Sequence, residues 1–102
     1  MYLTPTEEDR LLVFTTAELA RRSRADGNKL NAPEATALIC DEMHRAARNG
    51  ASREEVLAAG RAAAATDDLI EGVAELVDEV RLEVLMEDGS RLVVLRNPWG
   101  PR

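Results

Sequence analysis

The chain has 102 residues, 45% of them hydrophobic but only Tyr2, Phe14 and Trp99 aromatic, so one domain with an aliphatic core is expected, not two domains or a disordered chain. Thirteen basic against 19 acidic residues give a net charge of −6, which disfavours a duplex nucleic-acid surface and docking on anionic lipid. A single cysteine, Cys40, excludes a disulfide scaffold, and no apolar run reaches the roughly 20 residues that cross a bilayer.

The start, Met1-Tyr2-Leu3-Thr4-Pro5 followed by acids, lacks the basic and apolar regions of a secretory leader. A soluble cytoplasmic protein is the expectation. Thr4-Pro5-Thr6-Glu7 reads as a capping box with proline at the first helical position. Leu12, Thr16 and Leu19, with Leu11 and Phe14, form an apolar stripe at helical spacing. Arg21, Arg22 and Arg24 gather where a helix C-terminus favours cations, and Gly27 is a stop. The first helix is predicted over residues 5–25.

Asn31-Ala32-Pro33-Glu34 repeats the logic for a second helix, with Ala35, Leu38, Ile39 and Met43 on its buried face and Gly50 at its end. Ser52-Arg53-Glu54-Glu55 opens a third helix through Val56 and Leu57 toward Gly60. Thr66-Asp67-Asp68 reads as the cap of a fourth short helix carrying Leu69 and Ile70, which Gly72 weakens. Residues 73–79 fit a helical stripe that gives way to a strand.

From Val80 the period becomes two. Val80, Leu82, Val84 and Met86 alternate with Arg81, Glu83, Leu85 and Glu87. Asp88-Gly89 signals a hairpin, because a tight turn needs residues that tolerate positive φ. The return strand, Arg91 to Arg96, sets Val93 and Leu95 on one face and Leu92 and Val94 on the other. Asn97-Pro98 ends it. The predicted class is α+β: one domain over 1–102, helical over about 1–79, with a hairpin over about 80–98. A lone hairpin with aliphatic residues on both faces is marginal in water. If helices cover one face, the other either carries a few harmless exposed Val and Leu or is covered or extended by another chain.

The chemistry available is sparse. His44 is the only histidine. Cys40 lies four residues before it, on the same helical face, but two ligands fall short of a metal site. Cys40 reads as a small buried hydrophobe. No G-x-S-x-G motif or phosphate-cradling glycine loop is present. Acidic pairs such as Glu54-Glu55 and Asp67-Asp68 open helices and serve the helix dipole. These observations favour an interaction role or an accessory subunit over an independent enzyme.

Taken together, the segments resemble the γ subunit of bacterial urease. The resemblance rests on Leu3-Thr4-Pro5 with Glu8 and Leu11-Leu12, and on Lys29-Leu30-Asn31 with Pro33-Glu34-Ala35 and Ala37-Leu38-Ile39. It continues through Ala47-Arg48, Gly50, Glu55 and Gly60, then Glu71-Gly72-Val73 with Glu75. Val80, Glu83, Asp88-Gly89, Leu92-Val93 and Asn97-Pro98 complete it, in one register without gaps. The resemblance implies a helical bundle with a C-terminal hairpin. It further implies a noncatalytic role in hydrolysis of urea to ammonia and carbamate. The dinuclear nickel, with its carbamylated lysine and histidine ligands, would belong to the large α subunit. The implied partners are urease α and β subunits in a trimer of heterotrimers, and no cofactor is implied on this chain.

Residues expected at a partner interface are Lys29, Asn31 and Glu34 around the second helix's start, and Val93, Leu95, Asn97 and Pro98 in the return strand and its exit. Asn31 and Glu34 also serve as caps. Ala74 departs from the family's usual proline, freeing the backbone for the preceding helix to continue. Met86-Glu87, Arg96 and the tail from Trp99 to Arg102 depart as well. The alternative to a urease subunit is a stand-alone urease-γ-like interaction module.

Overall fold

The computed structural model describes residues 5–100; the expected cap residue Thr4 and the tail residues Pro101 and Arg102 lie outside them. The order is α1 (Pro5–Ala25), α2 (Ala32–Arg48), α3 (Arg53–Ala62), a 3-10 turn (Thr66–Asp68), α4 (Val73–Leu76), β1 (Glu79–Met86) and β2 (Gly89–Arg96). The two strands pair antiparallel, so helices followed by a hairpin make the expected α+β fold.

Local chemistry sets the helix starts. Asn31 Oδ1 accepts from the Glu34 backbone N–H, and Glu34 Oε1 accepts from the Asn31 N–H, both at 2.9 Å. Ser52 and Glu55 make the same reciprocal pair at 3.2 and 2.8 Å. Each box satisfies two backbone donors that a helix start otherwise leaves to water.

Helix α2 is the hub, packing against α1, α3, α4 and β1. One group of buried residues joins it to α1 and the following loops through Ala17, Ala20, Leu30, Ala35, Leu38 and Leu69. A second joins it to α3 and the hairpin through Ile39, Met43, Val56, Val80, Val84, Val93 and Leu95. Trp99 packs against both groups, and its indole N–H donates to the Ala64 carbonyl at 3.0 Å. That bond satisfies the ring's one donor while the rest of the ring fills apolar space. Arg61 Nη1 donates to the carbonyls of Arg96 and Asn97 at 3.2 and 3.3 Å, tying the end of β2 to α3.

Four sequence expectations need correction. The stripe of Leu11, Leu12, Phe14, Thr16 and Leu19 is not the buried face of α1. Ala17 and Ala20 are fully buried instead, and the large residues point outward. Helix α1 carries two apolar arcs, and the small one faces α2 because alanines let the backbones approach closely.

The Thr66-Asp67-Asp68 signal builds only the 3-10 turn. Asp68 Oδ2 accepts from the Ala65 N–H at 2.9 Å, and the chain then becomes extended. Leu30 N–H donates to the Asp68 carbonyl at 2.8 Å and Ile70 N–H to the Leu30 carbonyl at 2.9 Å, a parallel bridge between Leu30 and Leu69. This long-range pairing wins over the local cap.

The preceding helix does not run on through Ala74. Gly72, at φ +92, is the N-cap of the new helix α4, and Ala74 is buried in its first turn. Proline is tolerated in a helix's first turn, so the departure to alanine leaves the local geometry intact.

The hairpin turn is displaced by one residue. Met86 pairs with Gly89, leaving Glu87 and Asp88 at the tip. The positive φ, +115, falls on Gly89, the first residue of β2. Glycine bears that φ at no steric cost, so Asp88 is spared it. Arg91 Nη2 donates back to Asp88 at 2.6 Å.

Candidate interaction surfaces

With the small residues of α1 turned inward, its large ones face solvent. Leu12 and Leu19 are 66% and 57% exposed, and Leu11 and Phe14 about half. The hairpin behaves likewise. Val80, Val84, Val93 and Leu95 seal one face against the helices, and period-two alternation sends Leu85 and Leu92 outward, 62% and 54% exposed. The register sets Leu92 opposite Glu83 and Val94 opposite Arg81, so this outer face mixes aliphatic and charged side chains. Large apolar side chains exposed in number on one face are candidates for contact sites.

Between the first turns of α1 and strand β1 runs an open groove of about 490 Å³. Leu11, Val84 and Leu85 give it apolar walls, and Glu7, Arg10, His44 and Glu83 contribute charge or polarity. Burial of His44 lowers its pKa below the ordinary imidazole value; Arg10 pushes in the same direction, and Asp41 opposes them. The imidazole is therefore held neutral near pH 7.

Cys40 lies one helical turn earlier, in a different environment. Burial pushes its thiol up to about 11, and the charge of Asp41 adds to the shift. A thiol so protonated is inert as a nucleophile at neutral pH. Among the described residues no hydrogen bond joins Cys40 to His44, and no group of three or more His, Cys, Asp or Glu side chains is placed to hold a metal ion. Among the described residues the side chains do not fit a dinuclear nickel centre, whose metals need several such donors each.

The structure separates the expected interface residues. Val93 and Leu95 are fully buried in the chain's own core, and Pro98 is buried as well. The correction follows from the pleat: their face of β2 meets α2 and α3, and the surface falls to Leu92 and its neighbour in the turn region, Leu85. Lys29, Asn31 and Asn97 are exposed, and each fixes backbone. Lys29 Nζ donates to the Asp67 carbonyl. Asn31 caps α2 with the half-buried Glu34. Asn97 adopts φ +46 and its N–H donates to the Asp78 carbonyl at 2.7 Å, a conformation asparagine tolerates better than most residues.

The outward arc of α1 and the groove were missed by sequence reasoning. The signal was present: α1 is apolar over more of its circumference than one neighbouring helix can cover. The periodicity did not say which arc faces inward.

The described residues form a small α+β domain of helices and a hairpin with large apolar side chains exposed on α1 and on the outer face of the hairpin. The chain belongs to the urease gamma-subunit family: residues 1–99 match the family described as "Urease, gamma subunit". It is 55% identical over 100 residues to a Streptomyces avermitilis protein named "Urease subunit gamma/beta", and 52% identical over 100 residues to a Streptomyces coelicolor protein of the same name. Each alignment covers 98% of this chain and 44% of the relative. The chain thus spans less than half the length of the curated relatives it matches. Identity over nearly all of its length does not favour the stand-alone module. No helix among the described residues is long and apolar enough to cross a membrane.

Proposed function

We propose that this chain is the noncatalytic structural γ subunit of a urease that hydrolyses urea to ammonia and carbamate in the cytoplasm. The dinuclear nickel centre lies on the large α subunit, and the chain packs with α and β subunits in a trimer of heterotrimers. The observation that carries the reading is the pair of exposed leucines, Leu85 and Leu92, on the outer face of the hairpin of a chain in the urease gamma family. They lie on the two strands of a sheet whose outer edges no other strand pairs with among the described residues. Such an edge and face are stable when a larger neighbour covers them.

The subunit's contribution is positional. It removes apolar surface from water on both sides of a contact, at about 25 cal/mol per Å², and so holds the catalytic chain in its assembled geometry. Lys29, Asn31 and Asn97 contribute by fixing the backbone of their own loops, and Glu34 supports Asn31.

The test is co-expression with candidate α and β chains and nickel, followed by affinity capture and a urea-hydrolysis assay with and without this chain. The chain is expected to co-purify with α and β, and its omission to reduce turnover. A Leu85→Asp/Leu92→Asp variant is expected to keep its own melting temperature and lose co-purification. A fully active α–β complex assembled without this chain rejects the reading.

A further inference from the structure

The outward arc of α1 has a symmetry of its own. Glu8, Leu11, Leu12, Thr15, Leu19 and Arg22 fall within roughly 100° of the helix circumference at 3.6 residues per turn, and all are exposed. The acid stands at one end, the base at the other, leucines between, and a small residue at the middle. Among the described residues neither the Glu8 nor the Arg22 side chain makes a hydrogen bond or ion pair, unlike Arg21, which is bound to Glu18, Asp41 and Glu42.

We infer that this arc pairs with the same arc of a second copy of the chain, antiparallel, across a two-fold axis at Thr15. That axis sets Glu8 opposite the partner's Arg22, Leu19 opposite the partner's Leu11 and Leu12, and Thr15 opposite itself. A two-fold contact is self-complementary by construction, so each charge pair forms twice. The parallel alternative sets Glu8 on Glu8 and Arg22 on Arg22, and like charges at both ends oppose it. Threonine at the crossing point lets the helix axes approach, and the leucines on either side supply apolar area. One helix pair is small for an interface, so the dimer is weak and appears at high protein concentration. The proposal concerns copies of this chain alone and does not rest on the urease reading.

The experiment is sedimentation of the full chain over a range of concentrations, beside Glu8→Arg and Arg22→Glu variants. The parent chain is expected to dimerise. Each variant alone is expected to lose affinity by about tenfold or more, since both charge pairs become repulsive. An equal mixture of the two variants is expected to dimerise again. In every mixed pair the introduced arginine of one chain meets the introduced glutamate of the other, and the unchanged Arg22 meets the unchanged Glu8. A Thr15→Cys chain should close a disulfide dimer under mild oxidation; Cys40 is buried and leaves the background low. Circular dichroism of each variant checks its folding. A parent chain that stays monomeric overturns the proposal. A dimer whose two variants associate no better mixed than apart overturns it equally.

Discussion

Arg21 on α1 donates through Nη2 to Asp41 Oδ2 on α2 at 2.7 Å. The same nitrogen reaches Glu42 at 2.8 Å, and Nη1 reaches Glu18 at 2.6 Å. One guanidinium thus holds three carboxylates on two helices, beside the alanine contact of Ala17 and Ala20. Burial works to lower the Arg21 pKa, but its hydrogen bonds to Asp41 and Glu42 and the charge of Asp41 outweigh that and raise it. The group stays charged at any accessible pH. Arg21→Ala is expected to destabilise the chain by about 1–3 kcal/mol, because it leaves half-buried carboxylates crowded without their counter-charge. Arg21→Lys should recover only part, since an ammonium lacks the planar fork. Urea melts check both; an unchanged midpoint in Arg21→Ala defeats the clamp.

Helix starts were legible because their determinants are local. Asn31 with Glu34, and Ser52 with Glu55, announce themselves within four residues and are found as announced. The strand pattern from Val80 was legible for the same reason, as two faces alternate along one segment. What failed depended on distant partners. Whether α1 turns its alanines or its leucines inward is decided by α2. Whether Leu69 is helical is decided by Leu30, some forty residues earlier. Of the expected interface residues, Val93 and Leu95 read as interface for a sound reason, an aliphatic strand needing cover. The helices of the same chain provide that cover, and the residues left outside are their neighbours in the pleat.

Removing the α2 cap should show as a stability loss alone. Asn31→Ala deletes the Oδ1 acceptor for the Glu34 N–H and is expected to cost on the order of 1 kcal/mol. Asn31→Asp or Asn31→Ser should retain most of the stability, because either oxygen can accept the same bond. Thermal melts of the three variants decide it. Equal melting temperatures for Asn31→Ala and the parent chain contradict the cap.

Gly60 lies where α3 packs tightly on the core. A Cβ built there stands 2.9 Å from Leu95 Cδ2 and from Met43 Cγ and Sδ. Both neighbours are fully buried, so neither side chain can swing into solvent to make room. Alanine is the better helix former by about 1 kcal/mol, and an exposed site would gain by the change. Here overpacking, typically about 1–3 kcal/mol, opposes that gain. Gly60→Ala is therefore expected to be destabilising by up to about 2 kcal/mol, and Gly60→Ala with Leu95→Val to recover part of the loss. A more stable single variant counts against the tight contact.

The groove histidine gives the chain a pH signature. Burial and the facing Arg10 lower the His44 pKa below its ordinary 6.5, against the pull of Asp41; Glu7 and Glu83 also line the groove. Above 6.5 the imidazole is neutral both folded and unfolded, and it adds no pH dependence. As pH falls below 6.5, the unfolded chain takes up a proton that the folded chain resists. Stability is lost through this window, until the folded imidazole also protonates. His44→Asn removes the titration and keeps a polar side chain in the groove. Its melting temperature is expected to fall less steeply than that of the parent between about pH 6.5 and 5, a window set by the ordinary imidazole value. Carboxylates titrating in both proteins cancel in the comparison. Parallel curves for the two proteins mean that the imidazole is not held neutral by its surroundings.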